Sequence, residues 1–229
     1  MTVATPRATP AAFAVPEKSH DAWSPDLQLL LGPDADGPLR ALIEAANGEL
    51  LSFRPRQVNH QPNPSTGVSA TIAQYAAQVR WAGGRVANET LVMATGGRIP
   101  KRAAVLEGDG VRVGIWRWPH DPDLPGLAAA VDADTVAALL ADLGMGGGKV
   151  RLSVRAYRPG RRAVIEASGT HGRVFLKVVR PHRVQALHSK HRQLAAHLPV
   201  PHSYGYSPEG ILVLQALPGS SLRGALTGP

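Results

Sequence analysis

The sequence predicts an α+β protein made of two units, each an antiparallel sheet with helices laid against it. Three observations carry that prediction. Runs rich in β-branched and aromatic residues recur along the chain between Pro, Gly and Asn turn signals, the pattern of antiparallel hairpins. Stretches near residues 39–47, 132–143 and 182–198 instead place apolar residues at helical spacing. Charge is divided as well: residues 1–149 carry 13 Lys and Arg against 15 Asp and Glu, whereas residues 150–229 carry 12 against 2. The balance flips at Gly144-Met145-Gly146-Gly147-Gly148, a hinge-like composition. The chain is therefore divided into a flexible leader over 1–25, a first unit over 26–144 and a second unit over 149–229.

Composition narrows the class. The chain has 229 residues, of which 44% are hydrophobic and 18% charged, as in globular proteins. It has no cysteine, which excludes disulfides and thiolate metal sites and is compatible with a reducing cytosol. The leader is rich in Ala, Pro and Thr and has no apolar stretch of signal-peptide length. No run approaches the roughly 18 apolar residues of a membrane span. A soluble cytoplasmic protein with no membrane partner is expected.

In the first unit, Gly37-Pro38 opens a helix over 39–47, with Leu39, Leu42, Ile43 and Ala46 on one face and Gly48 as its cap. Strands are expected over 49–56, 68–81, 89–94 and 111–118. The second of these is Ala-rich enough to suit a helix. The alternation of Ala73, Tyr75, Ala77, Val79 and Trp81, followed by Gly83-Gly84, favours a hairpin. His120-Asp121-Pro122-Asp123-Leu124-Pro125-Gly126 reads as a Pro-locked loop. A helix follows over 132–143, capped by Asp132 or Asp134 and ended by Gly144. No internal repeat is detectable.

In the second unit, Val150, Leu152 and Val154 alternate with polar residues up to an Arg158-Pro159-Gly160-Arg161 turn, and 162–167 returns. A third strand, 174–179, is apolar except for Lys177. Pro181 ends it, a helix covers 182–198, and Pro199-Val200-Pro201 closes that helix. A short strand over 211–214 runs into Gln215-Ala216-Leu217-Pro218-Gly219 and toward a further helix.

Lys177 is the informative residue, because an ammonium in an otherwise apolar strand is costly to bury without a counter-charge. A nucleotide phosphate would supply one; an edge strand from which the lysine reaches water is the alternative. The pieces around it resemble the small lobe of kinase-like phosphotransferases, closest to the aminoglycoside phosphotransferase and choline kinase-like family and its actinobacterial, maltokinase-like members. The resemblance rests on Tyr157-Arg158-Pro159-Gly160-Arg161-Arg162-Ala163-Val164, Val174-Phe175-Leu176-Lys177-Val178-Val179-Arg180-Pro181, Leu198-Pro199-Val200-Pro201 and Leu212-Val213-Leu214-Gln215-Ala216-Leu217-Pro218-Gly219. It implies that Lys177 contacts the α- and β-phosphates of ATP. It also implies that the Arg158, Gly160, Arg161 and Arg162 turn covers the phosphates, and that the backbone at Gln215 and Leu217 bonds adenine. Residues 26–144 more loosely resemble the cystatin-like cap domain of the same relatives. There Trp81, Trp116 and Trp118 are either core residues or the lining of a sugar surface.

Two departures bear on activity. The family's helix after the lysine strand offers a Glu that orients the lysine, yet no Asp or Glu lies between Glu166 and Glu209. His188 or His191 stands roughly where that acid is expected; a neutral imidazole accepts a hydrogen bond but brings no counter-charge. The carboxylates that take the acceptor's proton and bind Mg²⁺ also lie downstream in the family, and no acidic residue follows Glu209. Asp121 and Asp123 imitate a metal-binding pair, but Pro122 and Pro125 mark a turn. The expectation is the N-terminal portion of an ATP-dependent phosphotransferase acting on a sugar- or aminoglycoside-like hydroxyl, truncated after the hinge. It would bind ATP but contain no catalytic or metal residues, with Mg²⁺ and the acceptor held by the missing lobe. The competing classes are a basic module for RNA or another polyanion, disfavoured by the scarcity of exposed aromatics, and a non-catalytic pseudokinase-like regulator.

Overall fold

The computed structural model describes residues 25–61, 70–108, 111–146, 148–170 and 172–219. The leader, apart from Pro25, and the helix expected past Gly219 lie outside the described residues. The fold is α+β, with two five-stranded antiparallel sheets.

The first sheet consists of β1 (Gly48–Gln61), β2 (Ala70–Trp81), β3 (Val86–Thr95), β4 (Ala104–Gly108) and β5 (Val111–Arg117), in the spatial order β1-β2-β3-β5-β4. Two helices precede it, α1 (Pro25–Leu31) and α2 (Asp36–Glu44). Leu39 and Ile43, one turn apart on α2, are fully buried with Leu30 of α1 against Tyr75, Val79, Leu91 and Met93. Each such aliphatic side chain contributes about 1.5–3 kcal/mol by leaving water. The helix expected over 39–47 starts earlier and stops at Glu44, because Asn47 adopts a left-handed φ of 58°. Gly48 then begins β1, where a Cβ would stand within 2.9 Å of both the Trp81 ring and Ile43. The Ala-rich run is a strand, with Ala73, Tyr75, Ala77 and Val79 pointing into the core at period two. Its turn into β3 uses Gly83 and Gly84 at φ 85° and 82°, a region closed to most side chains. Four elements escaped the sequence reading: α1 and β4 here, the latter an edge strand exposed at every position, and in the second unit the helix Leu127–Ala130 and the strand Ser203–Tyr206.

The second sheet consists of β6 (Arg151–Arg158), β7 (Arg162–Gly169), β8 (Gly172–Val179), β9 (Ser203–Tyr206) and β10 (Ile211–Gln215), in the order β6-β7-β8-β10-β9. Helix α5 (Pro181–Ala195) joins β8 to β9. Two shorter helices, α3 (Leu127–Ala130) and α4 (Ala133–Asp142), precede the sheet. Asp132 caps α4 by accepting from Thr135 N at 2.8 Å, and Gly144 at φ 73° closes it.

Packing divides the chain earlier than the glycine run does. The helix over 132–143 was expected to belong to the first unit. Instead Leu124, Leu127, Ala130, Val136 and Leu140 bury against Ile165, Val174, Leu176, Val178, Ile211 and Val213 of the second sheet. The opposite face of that sheet, with Phe175, Val179, Leu212 and Leu214, takes Val184 and Leu187 of α5. The three tryptophans pack in or against the cores. Trp116 is 4% exposed among Ile72, Val92 and Ala94, and Trp118 packs edge-on against Tyr157 at 4.6 Å. Trp81 lies against the first core under the Arg117 guanidinium, 4.7 Å from its ring centre.

Candidate functional site

The β6–β7 turn is built by its sequence and held from outside. Arg161 N–H closes the turn on Arg158 O at 3.0 Å, and Gly160 takes φ 65°. The buried backbone N–H of Gly160 donates to Asp121 Oδ2 at 2.7 Å, and the Tyr157 hydroxyl donates to the same oxygen at 2.8 Å. Asp123 N–H donates to Asp121 Oδ1 at 2.9 Å, and Trp116 Nε1–H donates to the Tyr157 oxygen at 3.1 Å. Asp121, 2% exposed, is thus a bolt between the first sheet, the Pro-locked loop and the turn. Burial pushes its carboxyl above the usual range, and the three donors pull it back. The Tyr157 phenol is pushed up by burial and by Asp121. The Asp121-Pro122-Asp123 segment is accordingly no metal pair: Asp123 instead receives Arg180 at 2.6 Å.

Beneath this turn lies a cavity of about 1290 Å³. Its walls hold ten Lys and Arg residues and a single carboxylate, Asp123. The turn contributes Arg158, Arg161 and Arg162; β8 contributes Lys177, and Arg180 follows it. The first turns of α5 contribute His182 and Arg183, with Lys190 further along. The far wall is the β3–β4 connection of the first sheet, residues 97–102, with Arg98, Lys101 and Arg102. The N-terminal end of α5, the positive end of its dipole, also borders the space.

The electrostatics are those of a site short of negative charge. Lys177 is half-buried, and burial together with Arg162 holds its ammonium below the usual lysine range. Among the described residues no carboxylate pairs with it. Burial, Arg161 and Arg180 likewise lower Arg98. The Nε of Arg180 is buried without a hydrogen-bond partner. Such an arrangement can hold a polyanion through charge-assisted bonds from guanidinium forks and one lysine. Among the described residues no cluster of three or more His, Asp or Glu is placed to hold a metal ion, and no helix is long and apolar enough to cross a membrane.

Of the residues singled out from sequence, Arg158, Gly160, Arg161, Arg162 and Lys177 come together in the cavity wall. His188 and His191 do not orient the lysine. His188 Nδ1 meets Ser203 Oγ at 2.8 Å and His191 Nδ1 meets Pro201 O at 3.0 Å, so both rings are turned toward β9 and its approach. Positions 183, 186, 187 and 190 of α5 face the cavity instead, and none is acidic. Gln215 and Leu217 lie outside the wall, and Gln215 N–H is already given to His202 O at 2.8 Å. Sequence reasoning missed Arg98, Lys101, Arg102, Arg180, His182, Arg183 and Lys190, and took Asp123 only as a turn residue that imitates a metal ligand. The signals were the basic Arg98-Ile99-Pro100-Lys101-Arg102 run in an otherwise acid-balanced unit and the Arg180-Pro181-His182-Arg183 run at a helix start.

Comparison with protein-family models, with curated proteins and with solved structures returns no match.

Proposed function

We propose that the cavity binds the phosphates of ATP and that the chain is the nucleotide-binding portion of a small-molecule phosphotransferase. The observation that carries this reading is nine further cations gathered around one half-buried lysine with a single carboxylate among them. Like charges so placed repel one another unless an anion joins them, and a triphosphate matches the guanidinium forks. The order of elements around Lys177 supports the same reading: a hairpin, a lysine-bearing third strand, a helix and two further strands.

The reading stops at binding for the residues in hand. Transfer to a hydroxyl needs a carboxylate to take its proton and carboxylate or amide ligands for Mg²⁺. Asp121 is buried and bonded, and Asp123 is paired with Arg180, so neither is free for that work. The lack of an acidic partner for Lys177 favours, as second reading, a regulator that holds nucleotide without transferring phosphate.

Calorimetry with ATP tests the proposal. Wild-type protein is expected to bind, and Lys177→Ala to weaken binding about tenfold, the loss of one charge-assisted contact. Equal affinity in the two proteins rejects the site. Competition by RNA as strong as by ATP would support the general polyanion module instead.

A further inference from the structure

The cavity has two banks. One is the second sheet with its turn and helix; the other is the β3–β4 connection of the first sheet, which the nucleotide reading counts for its charge without giving it a contact to the ligand. That connection is held firmly in place. Ile99 packs into the cluster of Ile72, Val92, Ala94 and Trp116, and its Cγ2 lies 2.7 Å from where a Cβ on Gly114 would stand, so the absence of a side chain on β5 is what seats it. Pro100 is buried. Arg98 NH1 donates to Gln61 Oε1 at 2.9 Å, which fixes its guanidinium from the β1 side.

The connection also has a counterpart. In each sheet the chain leaves the third strand, crosses to the edge strand and returns between them, as the orders β1-β2-β3-β5-β4 and β6-β7-β8-β10-β9 show. The crossover is a short turn in the first sheet and α5 in the second. Both crossovers open on the same cavity, and both bring cations to it. Arg98 is near enough to Arg161 and Arg180 of the second unit to feel their charge. Three like charges drawn from two units, with Asp123 the only carboxylate in the wall, are held against mutual repulsion.

We infer that Arg98, Lys101 and Arg102 are the second half of the phosphate site, so that a bound polyphosphate bridges the two sheets and locks them together. The inference rests on the anion-binding reading above. It adds that the first unit is a ligand-contacting part of the site and that ligand occupancy is sensed there.

The test uses inorganic tripolyphosphate and ATP at fixed ionic strength, with four proteins: wild type, Lys177→Ala, the triple variant Arg98→Ala/Lys101→Ala/Arg102→Ala, and the charge-matched triple Arg54→Ala/Arg56→Ala/Arg85→Ala. The last three arginines are exposed on the first sheet, away from the cavity. The cavity triple is expected to lose at least tenfold in affinity for both probes, while the control triple stays within twofold of wild type. In wild type, tripolyphosphate is expected to slow hydrogen exchange in β3 and β5 as well as in β6–β8; the cavity triple is expected to lose the effect in β3 and β5. Should Lys177→Ala weaken binding while the cavity triple binds like wild type, this inference falls and the ATP reading stands. Equal losses in the two triples also overturn it, because the first unit would then act only through its overall charge. Failure of wild type to bind either probe removes both readings together.

Discussion

The two sheets share one strand order and differ in what closes their faces. The first sheet carries its helices before it in the chain, and its core is sealed by Leu30, Leu39 and Ile43. The second is covered on both faces, by α3 and α4 on one and by α5 on the other. Layer architecture follows from where apolar faces must hide, so the doubly covered sheet has nearly continuous apolar strands such as β8 and β10. The difference also explains Lys177. It sits on the face that α5 only partly covers, where Val184 is the one residue of the helix that is fully buried. A face closed at one end and left open at the other makes a rim, and the cations stand on that rim.

The largest effect that distinguishes the sheets is expected at Gly210, in the β9–β10 turn. It takes φ 104°, and a Cβ there would stand 2.1 Å from Val179 O. Gly210→Ala is expected to cost about 3 kcal/mol or more through backbone strain and clash. Denaturant unfolding read separately in each sheet should show the second sheet melting first; a single unshifted transition would refute the account of that turn.

Next in size is the bolt between the sheets. Asp121→Ala leaves the Gly160 N–H, the Tyr157 hydroxyl and the Asp123 N–H without their acceptor. A loss of about 2–3 kcal/mol is expected from such buried orphan donors. Weaker ATP binding should accompany it, since the turn proposed to cover the phosphates loses its anchor. Stability unchanged within about 0.5 kcal/mol, the scale of an ordinary surface substitution, would show that the loop does not hold the turn.

Gly114→Ala is the corresponding change in the first sheet. The new methyl displaces Ile99, at an expected cost of about 1–2 kcal/mol, as for overpacking of a filled core. If the two sheets unfold as separate blocks, this variant lowers the transition of the first sheet and Gly210→Ala that of the second sheet.

The smallest effect is a pH dependence. The folded state holds the Lys177 ammonium below its ordinary value, so the folded chain binds that proton less tightly than the unfolded chain does. Stability from this group is therefore present above the unfolded lysine value of about 10.4 and lost as pH falls through the lower folded value. At neutral pH Lys177→Met is expected to raise the unfolding midpoint slightly. The gain should shrink as pH rises toward 10.5, and tripolyphosphate should reverse the order by stabilising wild type more. A gain that is constant with pH would mean packing, not charge, is the cause.

Much of each sheet was legible because its signal is local. Period-two burial in β2 and β7, the Asp132 cap and the Gly83-Gly84 hairpin are properties of neighbouring residues. β4 was not legible: exposed at all five positions, it carries no alternation and exists only because β5 offers it an edge. The fate of α4 was not legible either, since an apolar stripe of Val136 and Leu140 does not say which sheet will receive it.

The candidate site divides along the same line. The chain by itself determined the strands other than β4 and β9, the turn at Gly160 and the presence of a lysine in an apolar strand, because residue periodicity, φ preference and burial cost act over a few residues. Only the tertiary structure decided that Arg98 and Arg180, far apart in the chain, stand on one cavity, that Asp121 bolts a turn instead of binding a metal, and that His188 and His191 turn away from Lys177. Those outcomes depend on how two sheets lie against each other, and long-range Coulomb and packing terms of that kind leave no periodic mark on the sequence.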